Sequence, residues 1–217
     1  MLALARSGAE EGLWLRAERQ SDGRGRQGRA WASPAGNLYA STLVRLRPTD
    51  PGAATLALVA AVALEEAVSA YVPGGQLKWP NDLLIDGAKL SGILLERADD
   101  AVVIGIGVNL AHHPADLDRV ATSLAAQGVS VDPADFAETL ADSFARWLGL
   151  WRGEGLAPVR ARWLTRAHPP GTALTARLPD GSAIDGLFDG LDAEGALILR
   201  LASGERRVIH AGDVFLI

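Results

Sequence analysis

The sequence predicts an α+β domain followed by a small β-barrel. Residues 13–109 are rich in strand-like segments with one long apolar helix among them, and residues 132–166 predict two further helices. After residue 171, five short strand-like segments follow one another at intervals of about ten residues, which is typical of a small barrel. We therefore expect one domain over residues 1–168 and a second over residues 171–217, joined by a segment rich in proline.

The first part of the chain alternates between predicted strands and one buried helix. Residues 1–11 carry helix formers, and the Asp86-Gly87 pair between two apolar runs predicts a tight hairpin turn. A polar loop is expected over Leu77–Asp82, where proline interrupts the pattern. The strands are expected at Leu13–Glu18, Leu38–Leu46, Leu83–Ile85, Lys89–Glu96 and Ala101–Asn109, and the helix at Gly52–Tyr71.

The second part begins with a helix start at Asp132-Pro133, because aspartate caps helices and proline suits their first position. This helix is expected to end near Trp151, and a second is expected over Ala157–Arg166. Turn sequences containing glycine then separate the segments of the predicted barrel. Its strands are expected at Ala173–Leu178, Ala183–Leu191, Ala196–Leu201, Arg206–Ile209 and Val214–Ile217.

Composition excludes several classes of function. The 217 residues include no cysteine, so disulfides, thiolate zinc sites and a cysteine nucleophile are ruled out. A formal net charge of −5 argues against a general nucleic-acid binder. The most apolar stretch, Ala53–Leu64, is too short to span a bilayer, and residues 1–16 lack the pattern of a secretory peptide. We expect a cytoplasmic protein that binds neither DNA nor a membrane.

Glycine and arginine alternate in a loop after the first predicted strand. This arginine loop comprises residues 23–29, Gly23-Arg24-Gly25-Arg26-Gln27-Gly28-Arg29. Its glycine spacing matches a dinucleotide-binding fingerprint, but Trp31, Pro34 and Gly36 do not continue a helix, which disfavours that fold. Glycines allow close approach of a ligand, and guanidinium groups bind carboxylate and phosphate, so we interpret the loop as an anion site. The alternative is a solvated surface loop.

The two lysines of the chain lie close together in sequence. Lys78 and Lys89 flank Asn81 and Asp82 near the predicted hairpin, in a chain whose other 19 basic residues are arginine. A lysine ammonium can neutralise a carboxylate that attacks a phosphate, and an aspartate can hold that lysine or a magnesium ion. The alternative is a structural ion pair. A third segment, residues 105–109, places two glycines in a strand that ends at Asn109.

Together these segments resemble the biotin protein ligase family, of the monofunctional type without a DNA-binding domain. The motifs that carry the resemblance are the arginine loop, Gly36-Asn37-Leu38-Tyr39, Lys78-Trp79-Pro80-Asn81-Asp82, Lys89-Leu90-Ser91-Gly92-Ile93-Leu94 and Gly107-Val108-Asn109. The resemblance covers most of the first 110 residues. It implies a mixed β-sheet flanked by helices, similar to class II aminoacyl-tRNA synthetases, and a C-terminal SH3-like barrel.

The resemblance also implies a reaction and its site. Biotin and ATP would give biotinyl-AMP and pyrophosphate, and biotin would pass to a lysine of a biotin carboxyl carrier protein. The expected catalytic residues are Lys89, Arg26 and Asp82, with Asp82 also beside Mg²⁺. Biotin would lie along Gln20, Arg24, Gly25, Arg26 and Lys89. The nucleotide would lie against Arg29, Trp31, Asn81 and Asn109, and residues 110–123 resemble a loop that closes over it.

The sequence departs from the family pattern in two places. The family has a Ser-Thr-Asn segment before its first helix, whereas this sequence starts at Met1-Leu2-Ala3, which we expect to lie already in that helix. Gln27 replaces a common arginine. A lipoate or octanoate ligase is an alternative, although it is expected to lack the arginine loop and the Trp79–Asp82 run. A non-enzymatic SH3-like binding module is another. The sequence does not settle the oligomeric state, and a homodimer is one alternative.

Overall fold

A computed structural model describes residues 1–115 and 120–217. The predicted Asp86-Gly87 hairpin is confirmed, since both residues have positive φ (51° and 77°) between two paired strands. Six strands form a first sheet in the order β1-β2-β6-β5-β4-β3. They are β1 Trp14–Ala17, β2 Leu38–Arg45, β3 Gln76–Lys78, β4 Asp82–Ile85, β5 Ala88–Ala98 and β6 Ala101–Val108.

Two expectations for this sheet are corrected. All of its strand pairs in the described residues are antiparallel, so it is not mixed. The expected polar loop over Leu77–Asp82 is shorter in the structure, where it spans residues 79–81, because β3 and β4 pair on either side of it. Pro80 lies in this turn, as its local preference predicts, and the pairing of β3 with β4 makes Leu77, Lys78 and Asp82 part of strands.

Three helices pack on one face of the first sheet. They are α2 Leu56–Ser69, α3 Pro133–Glu154 and α4 Ala157–Arg166. Helix α2 is apolar over most of its surface, except at Glu65, Glu66 and Ser69, and it packs against α3, α4 and strands β3–β5. Helix α3 begins as predicted, since the Asp132 side chain accepts a hydrogen bond of 2.7 Å from the Ala134 amide.

The opposite face of the sheet is covered only in part. Successive β2 side chains alternate between faces, so Leu38 and Val44 join the core under α2 whereas Leu43 points the other way. There Leu43 packs with Ala5 of the short helix α1, Leu2–Arg6. The rest of this face, around Tyr39 and Ser41, borders an open cavity.

The five predicted C-terminal strands are confirmed, but they form an open sheet in the order β10-β9-β8-β7-β11 rather than a closed barrel. Its two edge strands are not paired with each other in the described structure. Only three residues connect them, so the sheet must curl strongly to bring these edges near each other. The strands are β7 Ala173–Arg177, β8 Ala183–Leu191, β9 Leu197–Arg200, β10 Arg206–Ile209 and β11 Asp213–Leu216.

The second sheet is fastened to the first part of the chain by specific hydrogen bonds. The Trp79 indole donates to the Gly195 carbonyl over 3.2 Å, and Arg160 Nε donates to the Leu191 carbonyl over 3.0 Å. Buried side chains of both sheets also belong to one hydrophobic cluster. No helix within the described residues combines the length and the apolar character that crossing a bilayer requires.

Candidate active site

An open cavity of about 1160 Å³ lies between the first sheet, the arginine loop and the second sheet. Its floor is the uncovered face of the first sheet. Glycines make this floor flat where β5 and β6 pair, because Gly92 lies opposite Gly107. Of the residues predicted for the site, the cavity lining includes Gln20, Arg24, Gly25, Arg26, Arg29, Trp31, Asn81, Asp82 and Lys89.

The arginine loop is a compact turn over the cavity. Its ends are held by backbone hydrogen bonds from Gly25 to Arg29 (2.7 Å) and from Trp31 to Gly23 (2.8 Å). Gln27 has a φ of 57°. Gln27 therefore occupies a left-handed conformation that disfavours branched side chains.

Two arginines of this loop reach the second sheet. Arg26 Nη1 donates to the Gly212 carbonyl over 3.1 Å, to Asp213 Oδ1 over 3.3 Å and to Asn81 Oδ1 over 3.5 Å. Arg29 forms an ion pair with the other carboxylate oxygen of Asp213. The loop is therefore positioned from the C-terminal part of the chain. Arg24, by contrast, is exposed, and its Nε lies 3.7 Å from the carboxylate of Asp22.

Lys89 and Lys78 share one carboxylate. Lys89 forms an ion pair with Asp82 Oδ1, and Lys78 Nζ lies 3.6 Å from Asp82 Oδ2. Lys89 lines the cavity, whereas Lys78 is buried behind Asp82 and is not part of the lining. Asn81, next to Asp82, donates from its side chain to the Ile93 carbonyl over 2.5 Å and is fixed by that bond. Lys89 and Asp82 thus bring an ammonium and a carboxylate together in the wall of the cavity.

The expected magnesium role of Asp82 does not fit this arrangement. Mg²⁺ requires oxygen ligands, and both carboxylate oxygens of Asp82 face lysine ammonium groups. Within residues 1–115 and 120–217, no group of three or more acidic or histidine side chains is placed to hold a metal ion. Direct ligation of a metal ion by Asp82 is therefore not supported by these residues.

Trp31 lies flat on the glycine floor. A Cβ atom added to Gly107 would lie 2.7 Å from Trp31 Cε2, and one added to Gly92 would lie 3.2 Å from Trp31 Cζ3. The Lys89 ammonium lies 5.6 Å from the centre of the indole ring, within cation–π range. The indole N–H is buried, with no hydrogen-bond partner in the described part of the protein. Trp31 thus has a donor that a ligand could satisfy.

Gln20 and Asn109 were both expected to contact ligand, but only Gln20 lines the cavity. Gln20 lines the cavity, and its Oε1 atom lies 2.9 Å from the Ser33 hydroxyl. Asn109 is buried outside the lining. Its side-chain amide donates to the Thr122 carbonyl over 3.0 Å, and its own carbonyl accepts from Leu124 over 3.0 Å. Asn109 therefore fastens the segment after β6. Part of the expected closing loop, residues 116–119, lies outside the described residues.

Other cavity residues were not predicted from the sequence. Tyr39 lies on the floor and donates from its hydroxyl to the Pro34 carbonyl over 2.8 Å. Burial raises the pKa of Tyr39, so its phenol stays protonated at neutral pH. Arg177, Asp213 and Phe215 come from the second sheet. Nothing local in the sequence distinguishes them, because they are ordinary residues of short strands that only the tertiary fold brings to the site.

Comparison with known proteins is consistent with this site. The Biotin/lipoate A/B protein ligase family matches residues 4–109, and the biotin protein ligase C-terminal domain matches residues 172–217. The chain is 44% identical to a biotin–[acetyl-CoA-carboxylase] ligase of Paracoccus denitrificans, over 96% of this chain and 92% of that protein. It is 38% identical to the enzyme of the same name from Mycobacterium tuberculosis, over 99% of this chain and 83% of that protein.

A solved structure agrees with these relatives. The biotin protein ligase from Aquifex aeolicus, in complex with biotin and ATP, superposes with a TM-score of 0.89 at 25% identity, covering 99% of this chain and 94% of that one. Fold and site together define a ligase whose cavity collects positive charge beside a flat floor. The chain belongs to the biotin protein ligase family.

Proposed function

We propose that the protein activates biotin with ATP and transfers it to a lysine of an acceptor protein. In the first step a carboxylate oxygen of biotin attacks the α-phosphorus of ATP, and pyrophosphate leaves. In the second step the acceptor amine attacks the acyl carbon of biotinyl-AMP, forming an amide and releasing AMP. The observation that carries this proposal is the placement of Lys89, Arg26 and Arg29 around one cavity, in a chain 44% identical to such a ligase.

Charge neutralisation is the main task of the site. The reacting carboxylate and phosphate are both anionic, so they repel each other unless cations lie between or around them. Lys89 lines the cavity beside the glycine floor, and we assign it to the carboxylate and the attacked phosphate. We assign Arg26 to the same phosphate, because its guanidinium presents several donors in a fixed plane. Asp82 orients Lys89 through their ion pair.

The remaining expected roles extend this assignment. Gln20, Arg24 and Gly25 would bind biotin, and Arg29, Trp31 and Asn81 would bind the nucleotide, because all six line the cavity. Asn109 would act by holding the segment next to the nucleotide, as its buried hydrogen bonds to that segment indicate. Mg²⁺ would enter with the phosphates of ATP and neutralise part of their charge.

The acceptor and the finer architecture are parts of the same proposal. The names of both curated relatives specify acetyl-CoA carboxylase, so we propose its biotin carboxyl carrier protein as the acceptor, in the cytoplasm. We further propose domains over residues 1–168 and 171–217. Their resemblance to class II synthetases and to SH3-like barrels is supported by the antiparallel six-stranded sheet and the curled five-stranded sheet.

A transfer assay tests the proposal. Purified protein, ATP and a biotin carboxyl carrier protein are incubated with biotin, lipoate or octanoate, and the carrier is analysed by mass spectrometry. We expect one biotinyl group on one lysine, lost in Lys89→Ala and retained in the exposed control Arg207→Gln. Transfer of lipoate or octanoate in preference to biotin would overturn the assignment in favour of the related ligase class.

A further inference from the structure

We propose that Arg177, on strand β7 of the second sheet, binds the β- and γ-phosphates of ATP and assists their departure as pyrophosphate. This inference rests on the proposed function, because it concerns the nucleotide of the same reaction. Arg177 lines the cavity, although none of the sequence motifs includes it.

The alternation of side chains along two strands directs Arg177 to the cavity. Its neighbour in β7, Ala176, is buried in the core, so Arg177 lies on the opposite face of the sheet. On the adjacent strand β11, Val214 is in the core, whereas Asp213 and Phe215 line the cavity. One face of the β7–β11 pair is therefore a wall of the cavity.

The guanidinium group of Arg177 is not held by a carboxylate. Asp213 is opposite Arg177 in the strand register, but its carboxylate contacts Arg26 and Arg29 of the arginine loop. The Arg177 guanidinium lies instead over the Phe215 ring, 4.5 Å from the ring centre. No acidic side chain among residues 1–115 and 120–217 lies within 4.0 Å of it. The other basic side chains of the lining each have a carboxylate within that distance, namely Arg24, Arg26, Arg29 and Lys89.

Arg177 is thus prepared to bind an anion. Its side-chain N–H donors form no hydrogen bond with the part of the chain that the structure describes. Arginine binds phosphate oxygens through two parallel N–H···O bonds, so these donors suit a phosphate group. The contact with Phe215 also restricts the rotamers of the arginine, which reduces the conformational entropy lost when a ligand binds.

The position of Asp213 relates Arg177 to particular phosphates. Asp213 contacts Arg26, which we assign to the α-phosphate, and Arg177 lies across the strand pair from Asp213. Opposite residues of antiparallel strands have Cα atoms about 5 Å apart, so Arg177 belongs to the part of the wall next to that phosphate. The β- and γ-phosphates follow the α-phosphate in ATP, and Arg177 offers them a cation there.

The chemistry of the first step explains why a cation is needed at this place. The carboxylate oxygen of biotin forms a bond to the α-phosphorus while the bond from that phosphorus to the bridging oxygen breaks. The electron pair of the broken bond stays on the bridging oxygen, so the departing pyrophosphate gains one negative charge. A cation fixed beside the leaving group stabilises this charge as it develops.

Nucleotide binding tests the position of Arg177 without requiring turnover. Calorimetry with Mg²⁺ and without biotin compares ATP with AMP in wild type, Arg177→Gln and the exposed control Arg207→Gln. We expect Arg177→Gln to weaken ATP binding by about tenfold or more and AMP binding by less than about twofold, with no change in the control. Arg177→Lys, which keeps the charge, should lose less ATP binding than Arg177→Gln. Equal losses for ATP and AMP in Arg177→Gln, or unchanged ATP binding, would overturn the proposal.

A kinetic measurement separates ATP from the acceptor protein as the partner of Arg177. Isolated biotinyl-AMP is mixed with enzyme and either inorganic pyrophosphate or a biotin carboxyl carrier protein. Arg177→Gln should need about tenfold more pyrophosphate for half-maximal ATP formation and should transfer biotin within about twofold of the wild-type rate. Slower transfer with an unchanged response to pyrophosphate would assign Arg177 to the acceptor and overturn the proposal. Wild-type protein that binds ATP but forms no biotinyl-AMP would refute the proposed function, whereas the ATP and AMP affinities would still decide the role of Arg177.

Discussion

A methyl group added to Gly107 should disturb the active site without unfolding the protein. The added Cβ would lie 2.7 Å from Trp31 Cε2 and 2.8 Å from Trp31 Nε1, whereas carbon atoms pack best at about 3.5–4.0 Å. The indole must therefore move by about 1 Å or leave the floor. Overpacking of this kind costs about 1–3 kcal/mol, equivalent to roughly 5- to 150-fold in rate if the loss falls on the site. We expect the loss to fall on the active site and not on the stability of the fold, because the Trp31 side chain borders an open cavity into which it can move.

The assay is the rate of biotinyl-AMP formation, measured together with the thermal unfolding midpoint and quenching of tryptophan fluorescence by acrylamide. Gly107→Ala should react slowly, unfold near the wild-type temperature and expose one more tryptophan to the quencher. Gly149→Ala is the matched control, because Gly149 is in helix α3 with nothing within 4 Å of an added Cβ. A Gly107→Ala enzyme as fast as Gly149→Ala, with Trp31 still protected, would refute the packing of Trp31 on the floor.

Three further outcomes follow from the charged groups. Lys89→Arg should slow adenylate formation far more than Lys78→Arg does, because Lys89 lines the cavity and the planar guanidinium group of arginine does not replace a compact ammonium there. Equal rates of adenylate formation in the two variants would exclude the role of Lys89. Trypsin should cut the arginine loop more slowly when biotin and ATP are bound. It should cut the loop faster in Asp213→Asn, because this change removes the carboxylate that pairs with Arg26 and Arg29. A cleavage rate that neither change affects would contradict a loop ordered by its ligand. Because burial lowers the pKa of His168, the unfolded chain binds a proton more readily as the pH falls below about 6.5, and stability should decrease there. Unfolding midpoints between about pH 7.5 and pH 5 should show a smaller loss for His168→Gln, and identical curves would remove His168 as a cause.

Local sequence signals predicted most of the secondary structure. The Asp86-Gly87 turn was identified because its backbone needs positive φ values that these residues tolerate. The start of α3 was identified because Asp132 caps it and proline follows. These signals act over a few residues. The loop expected at Leu77–Asp82 is reduced to residues 79–81 in the structure, because the pairing of β3 with β4 extends both strands toward the turn.

The sequence predicted which residues line the candidate site better than it predicted how their side chains contact one another. The arginine and lysine motifs predicted a cluster of basic side chains because each motif is contiguous in the sequence, and Arg24, Arg26, Arg29 and Lys89 do line one cavity. Asp213 was not predicted because the arginines that it contacts, Arg26 and Arg29, lie 187 and 184 positions earlier in the chain. For the same reason, the sequence did not reveal that Asn109 is buried beside Thr122 instead of facing the cavity. Long-range packing, which only the fold determines, decides such contacts.

The central claim is that this cavity joins the carboxylate of biotin to the α-phosphate of ATP. Exchange of labelled pyrophosphate into ATP measures that step directly, because it requires reversible formation of the adenylate and no acceptor protein. We predict exchange that depends on biotin, is not supported by lipoate or octanoate, and is lost in Lys89→Ala but not in Arg207→Gln. Exchange that proceeds equally without biotin, or none at all from a folded wild-type protein, would contradict the account.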